Sequence, residues 1–236
     1  MCKKLIRNLF NKIYYIKLYI VYCITMSAIS SNRILKIYKS RKTILEIMEM
    51  DNSYNIADYE NFSINEIDAM YSNSQLDMLL PHTNEDKKVY VKYYLSARQI
   101  RPSNIDEIIE DLYVVDSILT KKDTLVIIVD GEPNDTIITK IKYLYDHDGI
   151  FIVLHNINRL QFNILKHVLV PQMDILNSED VELLKKKYYL KTTGQLPEIS
   201  RFDPQALALC MRPGQVAKIE RDSLTTLETI YYRVCV

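Results

Sequence analysis

Residues 33–48 carry apolar side chains at positions 34, 37, 38, 44, 45 and 48, the spacing of one helix face, with Arg41 as the gap in the stripe. A helix is therefore predicted over that stretch, followed by a shorter one from Ile64 to Met70. Leu76–Leu80 and Val89–Leu95 are short apolar or aromatic runs separated by Pro81-His82-Thr83-Asn84, which predicts a hairpin. Pro102-Ser103-Asn104 opens a helix expected to run to Leu119. Thr124–Asp130 is continuously apolar up to its terminal aspartate, the mark of a strand buried on both faces. A helix from Asn134 to Asp146 and a strand from Ile150 to Leu154 follow. Helices alternating with buried strands give an α/β module with a mixed sheet covered by helices.

The pattern changes after Pro171. Ser178-Glu179-Asp180-Val181-Glu182 supplies a hydroxyl acceptor and three acids to a helix start, and Lys185-Lys186-Lys187 suit the far end of its dipole. Asp203-Pro204 is a second start, with aspartate as cap and proline at the first helical position, leading into Ala206–Leu209. Arg212-Pro213-Gly214-Gln215 reads as a turn. Gln215–Arg221 and Glu228–Val234 then alternate as two half-buried strands. A small α+β unit with an antiparallel sheet is expected here. The boundary falls near 159–171, and because no Gly- or Ser-rich linker appears there, the two modules are expected to pack against each other. The expected division is 1–31 as an extension, 32–165 as the N-terminal module and 166–236 as the C-terminal module.

Composition narrows the chemistry. The 236 residues carry 30 cations and 30 acids, but residues 1–25 hold five cations and no acid, leaving the rest with 25 cations against 30 acids, a net of −5. Such a body does not coat nucleic acid by itself, so any DNA contact is local or shared with partners. The apolar run from Ile13 to Ile24 is interrupted by Lys17 and is shorter than the roughly 20 residues of a membrane span, so no membrane partner is expected. Residues 1–31 are read as disordered or untranslated, with Met26 as an alternative start. Cys2, Cys23, Cys210 and Cys235 form no Cys-x-x-Cys pair, and His82, His147, His155 and His167 are dispersed. A reducing compartment, no metal and no cofactor are expected. With four glycines there is no phosphate-cradling loop, and no nucleophile elbow is present. One enzyme reading remains as the alternative, a restriction-endonuclease-like nuclease built on Asp130 and Glu132 at the end of the buried strand, although no lysine follows where that chemistry needs one.

Leu196-Pro197-Glu198-Ile199, Asp203-Pro204-Gln205-Ala206, Arg212-Pro213-Gly214-Gln215-Val216, Arg221-Asp222-Ser223 and Tyr232-Arg233 stand in an order that resembles the C-terminal domain of the fifth-largest shared subunit of eukaryotic nuclear RNA polymerases and its archaeal counterpart. His167-Val168-Leu169-Val170-Pro171 resembles the family's link into that domain, and Arg41-Lys42-Thr43-Ile44 its first helix. The resemblance implies a non-catalytic subunit of a DNA-dependent RNA polymerase. Its C-terminal domain would dock on the largest subunit beside a small shared subunit, and its N-terminal domain would form a restriction-endonuclease-like jaw near downstream duplex DNA. It further implies Pro133 and Lys140 as the DNA-proximal residues. His167, Pro171, Leu196, Pro197, Arg212, Gln215 and Arg221 are expected at the subunit interface. Localisation would be the nucleus for a cellular polymerase, or the virion or cytoplasmic factory for that of a large DNA virus. The chain departs from the family at Cys210 and Leu227, where the family carries glycine, and at Asp222 and Leu224 around Ser223.

Overall fold

The computed structural model describes residues 32–49, 53–223 and 225–236, and the reading of residues 1–31 lies outside them. The first helix, α1, covers 32–49. The polar gap in its stripe is not a solvent-facing break: Arg41 is 2% exposed, lies over the rings of Tyr59 and Phe62, and donates from Nη1 to the Leu76 carbonyl at 2.8 Å. Burial lowers its pKa, and the aromatic faces offset part of that cost. Helix α2 (Ile64–Ser72) starts with a reciprocal capping box between Ser63 and Glu66.

Four strands follow in one sheet of order β1-β2-β3-β4. Strand β1 (Met78–Pro81) pairs antiparallel with β2 (Lys88–Tyr94), as the hairpin reading predicts. Parallel pairs then join β2 to β3 (Thr124–Val129) and β3 to β4 (Phe151–Asn156). All residues of β3 and β4 are buried, because both faces are covered. Leu125, Ile127, Ile152 and Leu154 meet helices α3 (Pro102–Ile109) and α4 (Asp135–Tyr143), whereas Val126, Ile128 and Val153 meet α1 and α2.

Two helix ends differ from expectation. The α3 helix was expected to reach Leu119, but it widens into a π turn over Glu110–Val115, where Asp116 N–H bonds the Asp111 carbonyl. Ser117, at φ 51°, then reverses the chain and brings the Leu119 amide to the Leu112 carbonyl, so Leu119 is buried through a turn. Helix α4, capped by Asn134 Oδ1 on the Ile137 amide at 3.0 Å, likewise ends in a π turn, Leu144–Asp148, closed by Gly149 at φ 72°.

The second sheet has the order β5-β7-β8-β6. Strands β5 (Gln172–Ile175), β7 (Val216–Ser223) and β8 (Leu227–Cys235) are antiparallel neighbours, while the short β6 (Glu198–Ile199) joins β8 in parallel. The sheet is therefore mixed at one edge, where a purely antiparallel one was expected. Helix α5 (Ser178–Tyr188) is capped by Asn177, one residue before the expected Ser178, with Oδ1 accepting from the Asp180 amide at 2.8 Å. Helix α6 (Pro204–Ala208) has the Asp203 cap and first-turn proline that the sequence announces. The molecule is thus an α+β protein with two sheets and covering helices.

Candidate assembly interface

Arg212, Arg201 and His155 are among the side chains that tie the C-terminal unit to the N-terminal sheet. Arg212 Nη2 donates to the carbonyls of Lys122 at 2.5 Å and Asp123 at 3.0 Å and to Thr124 Oγ1 at 3.3 Å, while its guanidinium sits 5.0 Å from the Phe151 ring centroid. Arg201, 5% exposed, lies within 4.9 to 5.5 Å of the Tyr145, Phe151 and Phe202 rings, and burial lowers its pKa. His155, at the end of β4, hydrogen-bonds the Leu207 backbone, and burial pushes its pKa down to about 4. Leu207 and Ala208 of α6 enter the same core as Val126, Ile128 and Phe151. The expected packing of modules is thus a continuous apolar and cation-π contact along β4.

The turn that presents Arg212 is built locally. Gln215 Oε1 accepts from the Arg212 amide at 2.6 Å, the Gln215 amide donates to the Arg212 carbonyl at 3.2 Å, and Gly214 takes φ 87°. Ahead of it, Met211 N–H bonds the Ala206 carbonyl at 2.9 Å and closes α6 in a Schellman-type end, with Cys210 in the left-handed position at φ 49°. The Cys210 thiol is pushed up to about 12 by burial and the Cys235 thiol to about 11, so both are packing groups and neither is a ready nucleophile.

The remaining interface candidates are spread over the C-terminal unit. Pro171 is half-buried, its carbonyl accepting from Gln205 Nε2 at 2.9 Å, and Leu196 is half-buried before β6. His167, Pro197 and Arg221 are exposed. His167 Nδ1 accepts from the Leu169 amide at 3.2 Å, which shapes a loop whose Val168 and Leu169 side chains stand in solvent. Pro197 contributes its carbonyl to the Val234 amide at 2.9 Å. Arg212 and Gln215 are engaged within the chain, while Arg221 lies on the outer half of β7.

At the other end of the molecule, the loop after β3 lies at the carboxyl edge of the parallel strands, the usual ligand side of such sheets. Gly131 is required there, since a Cβ would fall 2.4 Å from the Arg98 carbonyl oxygen. Glu132 is paired with Arg159 at 3.0 Å and accepts from Asn156 Nδ2 at 3.0 Å. Pro133 is half-buried in that loop. Lys140, on α4, pairs with Asp106 of α3 at 2.8 Å, which turns part of its charge inward. The sequence did not single out Arg98 and Arg101, two exposed cations on the neighbouring loop, because the contact of that loop with Gly131 is tertiary. Among the described residues no group of three or more His, Cys, Asp or Glu could hold a metal ion, and no helix is long and apolar enough to cross a membrane.

These features define a two-sheet α+β protein whose C-terminal unit displays an exposed apolar loop and a hairpin. The family described as RNA polymerase Rpb5, C-terminal domain, matches residues 162–235. The chain is 46% identical over 76 residues to the DNA-directed RNA polymerase subunit Rpo5 of Pyrococcus abyssi, an alignment covering 32% of this chain and 92% of that protein. It is 38% identical over 81 residues to the Rpo5 subunit of Archaeoglobus fulgidus, covering 33% of this chain and 100% of that protein. With Rpo5 of Nitrosopumilus maritimus it shares 41% identity over 70 residues, 30% of this chain and 83% of the relative. The chain belongs to the Rpb5/Rpo5 family of RNA polymerase subunits, by virtue of its C-terminal third.

Proposed function

We propose that this chain is a non-catalytic core subunit of a DNA-dependent RNA polymerase, with residues 166–236 docking on the largest subunit beside a small shared subunit. Residues 32–165 act as a jaw along downstream duplex DNA, with the loop at Pro133 and the helix carrying Lys140 facing the phosphates. The observation that carries this reading is the match of the C-terminal unit to almost the whole length of a polymerase subunit, 46% identical across 92% of the Pyrococcus abyssi protein. The jaw role is supported by the helix-covered mixed sheet and by exposed Arg98 and Arg101 on the loop that meets Gly131, which would hold DNA through phosphates without reading sequence. Arg212 and Gln215 serve docking indirectly, by fixing how the C-terminal sheet sits on β4.

Capture of the tagged chain from its native cell, with mass spectrometry and an assay for templated RNA synthesis, tests the reading. Two very large subunits and activity are expected, and capture of the chain alone would refute it. Within that experiment Arg221→Glu, a change on the exposed outer half of β7, is expected to lower recovery of the large subunits while the isolated chain stays folded by circular dichroism. Undiminished recovery would remove Arg221 from the interface.

A further inference from the structure

Among the described residues, the outer strands β1, β4 and β5 are short or covered. Strand β1 is short and its outer side is covered, with the Tyr59 hydroxyl on the Leu79 amide at 3.1 Å, the Asn55 amide on the Pro81 carbonyl at 2.9 Å, and a bridge between Tyr54 and His82. Strand β4 is buried along its whole length beneath the C-terminal unit. Strand β5 is four residues long and follows directly on Pro171. Natural sheets guard their edges by such means.

Strand β8 is different. It runs for nine residues, and its outer neighbour β6 reaches only Val234 and Cys235. The hydrogen-bond parity fixes what the rest of that edge presents. Cys235 N–H donates to the Gln215 carbonyl, so odd-numbered residues of β8 face β7, while Val234 and Val236 N–H donate to Pro197 and Ile199 on the other side. Ile230 and Tyr232 therefore direct their amide and carbonyl groups outward, beyond the reach of β6. Glu228 shares this side, but its amide is already spent on the Thr226 carbonyl at 2.8 Å. Glu228-Thr229-Ile230-Tyr231-Tyr232 contains neither proline nor lysine, the residues that blunt an edge. Ile230 and Tyr231 are both about half exposed on opposite faces of the strand, and Tyr232 packs edge-on to Tyr188 of α5 at 5.9 Å. Asp222 and Glu228 face each other across the hairpin beside Arg221, so no cationic patch suits a nucleic acid there.

We propose that the edge of β8 from Glu228 to Tyr232 takes up an extended strand of a partner polymerase subunit by β-sheet addition. This rests on the polymerase-subunit reading and names the element through which docking occurs. The occupant is a protein strand because the open groups are alternate backbone amides and carbonyls, and it carries apolar side chains toward both faces to cover Ile230 and Tyr231. Its length is bounded by β6, which closes the edge from Val234 onward.

The test compares the full-length tagged chain with Ile230→Pro and Ile230→Lys. The proline removes an amide that points away from β7, so the β7–β8 ladder keeps its hydrogen bonds, and the lysine serves as the deciding variant if the proline perturbs folding by circular dichroism. The expected result is that the wild-type chain captures the very large polymerase subunits and a folded variant captures at least tenfold less. In the captured complex, exchange of the Ile230 and Tyr232 amides is expected to slow at least tenfold relative to the free chain. Equal capture by a folded variant, or unprotected amides in the complex, overturns the edge assignment while leaving the polymerase reading standing. Capture of no large subunit by the wild-type chain overturns both. Self-association that Ile230→Lys abolishes, without protection in the polymerase complex, would assign the edge to a second copy and refute the partner strand.

Discussion

Cys210 and Leu227, the positions where the sequence resemblance leads one to expect glycine, both adopt the left-handed backbone that glycine favours, at φ 49° and 64°. Holding a non-glycine residue in that conformation costs about 1 kcal/mol at each position. Leu227 is 84% exposed and gains no packing in return. Leu227→Gly is therefore expected to stabilise the chain by about 1 kcal/mol in denaturant unfolding, and Cys210→Gly by less, because its side chain packs against the N-terminal core. His155 sets a pH dependence. Its folded pKa of about 4 lies below the ordinary 6.5, so the stability gained from burying a neutral imidazole is complete above pH 6.5 and is lost as pH falls toward 4. Thermal unfolding is expected to show an acid-side loss of at most about 3 kcal/mol in that window, and His155→Gln is expected to flatten it. The sequence marked Cys210 and Leu227 as departures, whereas His155 read only as one dispersed histidine among four.

At the scale of elements, the continuous apolar strands β3 and β4 and the amphipathic α1 were readable because periodicity and burial report the same fact. The turn at Arg212–Gln215 and the α6 start were readable because proline, glycine and aspartate act locally. Helix ends were not. The π turns after α3 and α4 depend on how Leu112, Leu119 and Leu144 reach the sheet, and the Asn177 cap differs from Ser178 by a single residue that chemistry alone does not separate. Arg41 was the clearest hidden case, since a cation in an apolar stripe reads as a gap until the rings of Tyr59 and Phe62 fold over it. The candidate site was legible as a set of phrases, and the sequence could not reveal that Arg212 turns inward. Arg212→Ala is expected to destabilise the chain by about 2–3 kcal/mol in chemical denaturation, since the carbonyls of Lys122 and Asp123 lose a charged donor.

As a whole molecule, the chain is two sheets joined through β4, with its family signature confined to the C-terminal third and its open strand edge in that same unit. That arrangement suits a part that holds a larger assembly together, and it assigns Arg201 and Arg212 to internal alignment and the β8 edge to outside contact. The most direct test is sedimentation of a native extract containing the tagged chain, with each fraction assayed for templated RNA synthesis. The account predicts that the chain travels with RNA-synthesising activity at a size far above its own 27.7 kDa. A single peak at the size of the free chain, separate from that activity, would contradict it.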